Sequence, residues 1–547
     1  MVLTAALIGG VIFKLIKFQA LIGFILAGIV FGQITPVGKN EIEKLAEIGI
    51  ILLLFSVGIE LSFSRLARVF RVATFGALIQ VAGVSLLLWL ILRLFGIGPL
   101  EGLIMAFGFS LSSTAVVVKI LSERGETETI HGEIMLGWLI MQDLLVIPAI
   151  ALLPVIASGG GSFILPAGLA ILKVIALVIG VIFFGRILVP YVFHKVSALN
   201  SRELLVILAI SFALGVAIIT EYLGLSTALG AFLAGIVISE IQENHAVFAE
   251  TRPLRDLFVA LFFVTLGFLV VPSVMIQHFG LIVAISCLVI LIKALVLAAL
   301  SLVFGYRGRS TIAISLGLSQ VGEFSFVLFS LALGLGILSP TLTSIGIGVT
   351  LFTLIVTPVL FKSINPVYRK VRDFKIFTGK PRVMNIKNEV LSGHIIICGF
   401  GRVGKWVGKV LSEYEIPYLV IEYNSELARK LEREGVRVIY GDPSQIEVLE
   451  SANLKEAKAC VLAIPDQVAQ EEIIGHVQTM APKVKIISRV HLDEDWEKLK
   501  FLKVDKMVQP EFEAAIAITK GILTSMGKPK EEISERIKKL RLSRAMT

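Results

Sequence analysis

Apolar residues fill long, nearly uncharged blocks over the first two thirds of the chain, with polar residues gathered in the short breaks between them. A bilayer core takes about 20 apolar residues per helix. Thirteen such segments are expected between Met1 and Phe361, centred near Ile8, Ile25, Leu53, Val81, Gly108, Leu145, Leu177, Ile210, Leu233, Phe263, Val289, Phe324 and Leu351. Beyond them the pattern changes abruptly. Residues 363–392 are charged and polar and read as a linker. Short apolar runs then alternate with helical patterns: "HIIICGF", "YLVIEY", "VRVIYG", "ACVLAIP" and "VKIISRV". This alternation predicts a parallel sheet flanked by helices over residues 393–525, followed by a charged tail, 526–547. The expected fold class is a polytopic α-helical membrane protein over residues 1–362, joined to an α/β Rossmann-like domain.

Composition agrees, because 56% hydrophobic and 17% charged residues in 547 is too apolar for a soluble protein of this size. The net charge of +9 does not call for nucleic acid, since the basic residues sit mainly in inter-span loops and the C-terminal third. One set of alternate loops holds thirteen: Lys14, Lys17, Arg65, Arg68, Arg71, Lys119, Arg124, Lys195, Arg202, Arg252, Arg255, Arg307 and Arg309. The other set holds only Lys39, Lys44 and Arg93. The richer set faces the cytoplasm, which puts the N-terminus outside and everything after Phe361 inside. The N-terminal run lacks a charged start and a small-residue cleavage site, so no cleavable signal is expected. Cys287, Cys398 and Cys460 have no metal-ligand spacing and are expected as buried free thiols.

The first candidate chemistry is "MLGWLIMQDLLVIPAIALLPVI", residues 135–156, with Gln142 and Asp143 at its middle. A carboxylate at bilayer depth costs at least about 2.5–3.5 kcal/mol, so a chain that keeps one usually uses it for ions or protons. Lys293, alone in its apolar segment, is a possible counter-ion to Asp143. A purely structural ion pair is the alternative. Gln142 reads equally as a cation ligand or as a hydrogen bond between helices. The fifth span carries Ser110, Ser112, Ser113 and Thr114, and the twelfth carries Ser319, Gln320, Gly322 and Glu323. An odd offset of seven spans gives these two opposite orientations, as in inverted repeats whose broken helices cross near an ion site. Small-residue packing with hydroxyls bonded to their own backbone is the bland alternative.

In the soluble region "CGFGRVG" places Gly399, Gly401 and Gly404 in GxGxxG spacing between a strand and a helix. Such a loop fits phosphate at a helix N-terminus, and Glu422 at the end of the next strand is placed to bind ribose hydroxyls. That acid argues against a 2′-phosphate and hence against NADP. Glycines serving only the turn, with Glu422 as a surface acid, are the alternative.

Together, "GFGRVG", "IEYNSE", "YGDPSQIEVLESANL" and "ACVLAIPD" resemble the regulator-of-K+-conductance (KTN or TrkA-N) family. The resemblance implies a dimerising sensor of AMP, ATP or NAD(H). Arg402 and Val403 would lie in the phosphate loop, Glu422 on ribose, and Asp442 near the adenosine, although the family's usual GDAT reads "GDPS" here. No catalytic domain follows, so regulation is expected rather than an enzyme.

In the membrane half, "AEIGIILLLFSVGIEL", "GFSLSSTAVVVKIL", "QDLLVIP", "LGAFLAGIVIS", "LFFVTLGF" and "GLSQVGEFSFVL" resemble the monovalent cation:proton antiporter-2 family, notably its Kef-type K+/H+ members. That implies a homodimer in the inner membrane of a prokaryote. It also carries the ion-binding role (K+ or Na+) to Asp143, a neighbouring role to Gln142 and a basic core partner to Lys293. Ser112, Ser113, Thr114, Gln320 and Glu323 complete the expected ion and proton site. Electrogenic relatives have two adjacent carboxylates where this chain has "QD", so one-for-one, electroneutral exchange is expected. Kef-type relatives are also gated by glutathione, for which no residue here shows a site, nor does any mark an ancillary subunit. A nucleotide-gated K+ channel lacks a "TVGYG"-like filter here, and a membrane-anchored nucleotide sensor leaves Asp143 without a role.

Overall fold

The computed structural model describes residues 2–546 apart from 17–19, 35–38, 61–62, 128, 158–184, 186–187, 200, 224–225, 242, 372–381, 385–390, 491–495, 497–498 and 503. It divides into two compact units. The first comprises Met1–Lys119, Ile134–Tyr306 and Thr311–Val367, and the second Ile120–Glu133, Arg307–Ser310 and Tyr368–Thr547.

The first unit is helical. Every expected apolar centre except Leu177 falls in a described helix, and Leu177 lies outside the described residues. By length and composition, six stretches among the described residues are fit to cross a membrane: Thr74–Leu94, Pro99–Glu123, Ile130–Pro154, Arg202–Tyr222, Phe279–Val303 and Pro340–Val371. Shorter apolar helices include Val2–Leu15, Thr227–Ser239 and Phe324–Gly334. Glycines let backbones touch. A Cβ on Gly58 would lie 2.4 Å from the Phe232 carbonyl oxygen, and one on Gly235 would lie 2.2 Å from that of Phe55. This close approach draws helices Lys39–Glu60 and Thr227–Ser239 together, as small residues do where both helices are apolar.

Two helices are broken. The Pro99–Ser110 helix ends at Leu111 and restarts as Thr114–Glu123, and the Gly308–Gly317 helix restarts as Phe324–Gly334. The Ser/Gly-rich runs of the fifth and twelfth spans are these breaks.

The second unit holds a seven-stranded sheet: β1 (Arg382–Met384), β2 (Ile395–Cys398), β3 (Tyr418–Glu422), β4 (Val438–Tyr440), β5 (Ala459–Leu462), β6 (Lys485–Arg489) and β7 (Lys506–Val508), in the order β1-β4-β3-β2-β5-β6-β7. Strands β2 to β7 are parallel, in doubly wound order, and β1 joins the edge antiparallel to β4. Consecutive residues of β2 feed opposite cores: Ile396 and Cys398 pack in one cluster, Ile397 in the other. Burial on both faces explains why β2 and β3 read as unbroken apolar runs.

The stretch expected as a linker is partly structured. The Pro340–Val371 helix continues nine residues into it, and Arg382–Met384 forms β1. Lys530–Met546 of the expected tail is helical. Cys398 and Cys460 are buried free thiols with sulfurs 3.8 Å apart, whereas Cys287 is exposed on its helix.

Candidate functional sites

The two breaks cross backbone to backbone. The Gly322 N–H donates to the Leu111 carbonyl at 3.1 Å, and the Ser112 hydroxyl donates to the Leu318 carbonyl at 2.7 Å. A Cβ on Gly322 would sit 2.5 Å from the carbonyl carbon and oxygen of Ser112, so glycine is required at this approach.

Charges are distributed by helix polarity. A break exposes carbonyls at the end of one half-helix and N–H groups at the start of the next. Lys293 is fully buried on helix Phe279–Val303, and its Nζ donates to the Leu111 carbonyl at 2.7 Å and the Gln320 carbonyl at 2.6 Å. The expected pairing of Lys293 with Asp143 is therefore corrected: the ammonium serves carbonyl groups at both breaks, where half-helix ends concentrate negative potential. Asp143 instead accepts from the hydroxyl of Thr114, the first residue of the restarted helix, at 2.9 Å from its Oδ2. Glu323 accepts from the Ala115 N–H and shares a hydrogen bond with Ser113, while its buried Oε2 has no partner among the described residues. Ser113 also caps the restarted helix by accepting from the Val116 N–H at 3.3 Å.

Gln142 makes hydrogen bonds to two other segments of the chain. Its Oε1 accepts from the Ser112 N–H at 2.7 Å and its Nε2 donates to Gln80 Oε1 at 2.6 Å. The Gln320 side chain is wholly buried, with neither amide atom partnered among the described residues. Two polar residues at the crossing went unremarked in the sequence. Thr353 accepts from the Val321 N–H at 3.1 Å. Gln80 donates to the Ser110 carbonyl at 2.9 Å. Its signal was available: Gln80 interrupts "FGALIQVAGVSLLLWL" just as Gln142 interrupts its own span.

In the second unit, Gly399 has φ +88° and a Cβ there would meet Ile464 Cγ2 at 2.7 Å. Gly404 packs against that turn, since a Cβ on it would lie 2.1 Å from the Gly399 carbonyl oxygen. Around Gly401 nothing lies within 4 Å of such a Cβ, which leaves the start of helix Arg402–Glu413 open. Arg402 is exposed there, and Val403 packs partly buried against the core. Glu422 lies beside the loop. Its Oε2 accepts from the Phe400 N–H and its Oε1 from the Asn424 N–H, both at 2.8 Å. Burial pushes its pKa up, against the lowering effect of those bonds. The "GDPS" turn keeps Asp442 occupied: its Oδ1 accepts from the Ser444 N–H at 2.9 Å and the Ser444 hydroxyl at 2.8 Å.

The same unit contains a charge cluster built from three distant stretches. Arg309 Nη1 lies 2.6 Å from Asp466 Oδ2, and its Nη2 lies 2.9 Å from Glu126 Oε1. Glu126 Oε2 is 3.3 Å from His131 Nε2, and Asp466 Oδ1 caps helix Gln467–Met480 by accepting from the Val468 and Ala469 N–H groups. Tyr423, just past β3, donates its hydroxyl to the Arg307 carbonyl and accepts from the Arg307 N–H at 2.7 Å.

A crossing of two broken helices with an aspartate at a half-helix start, on a chain that also carries a doubly wound nucleotide-type sheet, defines a membrane secondary transporter with an attached regulatory domain. The sodium/hydrogen exchanger transmembrane family matches residues 2–364, and the TrkA-N domain matches 395–510. The chain is 32% identical over 526 residues to the putative cation/proton antiporter YbaL of Escherichia coli, covering 94% of both. It is 30% identical over 546 residues to a glutathione-regulated potassium-efflux system protein of Haemophilus influenzae, covering 97% of this chain and 86% of that one. The sodium/proton antiporter MjNhaP1 of Methanocaldococcus jannaschii shares the fold, with a TM-score of 0.52 and 15% identity over 68% of this chain and 98% of that one. The chain belongs to the sodium/hydrogen exchanger family and carries a TrkA-N domain in its C-terminal third.

Proposed function

We propose that the protein exchanges a monovalent cation, K+, for H+ across the membrane, one for one, with Asp143 alternately holding the cation and the proton. The observation that carries this is the position of the Asp143 carboxylate. It sits at a half-helix start against Thr114, and Lys293 is engaged elsewhere. A cation and a proton then compete for one group, which is the minimum an exchanger needs. Thr114 is one of its partners, and Glu323 and Gln320 offer buried polar atoms at the opposing break. K+ over Na+ is supported by the name of the H. influenzae relative, and proton coupling by that of the E. coli relative.

A nucleotide, AMP, ATP or NAD(H), at Gly399–Gly404 would regulate exchange. The Arg309 cluster supports a route for it: Glu126 lies in the stretch joining the Thr114 helix to the Asp143 helix, and Asp466 lies just past β5 at the sheet's nucleotide-binding edge. Further elements of the proposal are a homodimer, thirteen spans and an external N-terminus.

The test is proton flux in proteoliposomes on adding K+, Na+ or Rb+, for wild type and Asp143→Asn side by side. K+-driven flux that vanishes in the variant is expected. Preserved flux in Asp143→Asn refutes the mechanism, and flux indifferent to a pH gradient points to a channel instead.

A further inference from the structure

The hydrogen bonds around Gln80 form a closed path that begins and ends at one break. The Ser110 carbonyl accepts from Gln80 Nε2 at 2.9 Å; Gln80 Oε1 accepts from Gln142 Nε2 at 2.6 Å; and Gln142 Oε1 accepts from the Ser112 N–H at 2.7 Å. Gln80 and Gln142 are both wholly buried. A backbone carbonyl can only accept and a backbone N–H can only donate, so the two ends set the direction of both amides. Reversing either would set N–H against N–H and oxygen against oxygen.

We infer that Gln80 is a positioning residue of the cation site: it closes this relay, satisfies the peptide groups freed by the break and fixes Gln142 one residue from Asp143. The inference rests on the reading of Asp143 as the exchanging group. An unpaired buried peptide group costs about 1–3 kcal/mol, so the break needs partners from outside its own helix. Helix Phe63–Leu94 supplies one amide and helix Ile130–Ala157 the other. Both hydrogen-bonding ends of the Gln142 amide are engaged within the relay, so the amide is held in one orientation beside Asp143. Gln80 acts on exchange without touching the cation.

Gln80→Leu and Gln80→Glu separate this from space filling. Leucine abolishes the relay at every pH. The glutamate can donate to the Ser110 carbonyl while accepting from Gln142 only when its carboxyl is protonated; ionised, it sets oxygen against oxygen. At matched incorporation, Gln80→Leu is expected to lose cation-driven proton flux by about tenfold or more, as misplacement near a reacting group does. Gln80→Glu should approach wild type at acidic pH and fall away as pH rises, so that its alkaline limb lies at lower pH. Hydrogen exchange of the purified full-length protein, followed over residues 108–116, reads the relay without transport: faster exchange in Gln80→Leu is expected. A Gln80→Glu pH profile parallel to wild type, or unchanged protection of 108–116 in Gln80→Leu, overturns the relay. Should the leucine variant fail to fold, the glutamate variant compared with itself at two pH values decides. If wild type shows no flux, the transport reading falls while the exchange measurement still decides the relay.

Discussion

Replacing Glu126 with glutamine should remove a pH-dependent share of the protein's stability. Burial alone would raise the Glu126 pKa; the hydrogen bond from His131 and the charges of Arg309, His131 and Arg124 overcome that and hold it at about 2, against an ordinary 4.5. At about 1.4 kcal/mol per pH unit, that gap is worth about 3 kcal/mol, with little discount because only 14% of the side chain is exposed. The sign follows from which state takes the proton first. The unfolded chain protonates Glu126 as pH falls through 4.5 while the folded chain resists until about 2, so the contribution is complete above the first value and gone below the second. The glutamine variant should therefore melt lower than wild type near neutral pH. For a unit of about 150–250 residues, about 3 kcal/mol corresponds to about 6–12 °C. The gap should narrow steadily below pH 4.5. Tryptophan-fluorescence melting of both proteins in detergent from pH 7 to pH 3 reads this directly. Two melting curves that stay parallel across that range would refute a Glu126 held ionised by its neighbours.

The glycine loop gives a paired test. Gly401→Asp meets no protein atom within 4 Å at Cβ, so melting should stay near wild type while nucleotide binding, read by calorimetry, and any nucleotide effect on flux are lost. Gly404→Ala drives a methyl to 2.1 Å from the Gly399 carbonyl oxygen and should destabilise by about 1–3 kcal/mol whether or not nucleotide is present. Equal melting in the two variants would contradict the loop geometry. Gly322→Ala should separate the crossing at its tightest point, 2.5 Å from the Ser112 carbonyl, and abolish flux while Gly215→Ala, where nothing lies within 4 Å, leaves it intact.

Much of this was legible in the sequence where local pattern and tertiary fate coincide. Strands β2 to β4 were readable because burial on both faces makes them continuous apolar runs, β5 and β6 because their alternate positions are buried, and the two breaks because Ser and Gly cluster inside apolar spans. β1 and β7 were not, because a three-residue edge strand in a polar stretch carries no periodicity. The partner of Lys293 was missed for a different reason. Charge pairing is guessed from side chains, but here the negative partners are backbone carbonyls, which exist only because two helices break. The Arg309 cluster was invisible for a third: Glu126, Arg309 and Asp466 are 183 and 157 residues apart in the chain and meet only through the fold.

The placement of Lys293 bears directly on stoichiometry. Were it paired with Asp143, an arriving cation would displace the ammonium, and the lysine proton would join the charge moved in each cycle. Bound instead to the Leu111 and Gln320 carbonyls, Lys293 has partners of its own that are not the Asp143 carboxylate. On the proposed mechanism Asp143 is then the group that changes its charge, and it accepts one positive charge in either form. Each outward step with one ion is balanced by the return step with the other, which supports electroneutral exchange. Glu323 is a group able to upset that balance, since its buried Oε2 has no partner among the described residues. If Glu323 took up a second proton in the cycle, a cation gradient alone would generate a membrane potential in proteoliposomes, and Glu323→Gln would abolish the potential while leaving exchange.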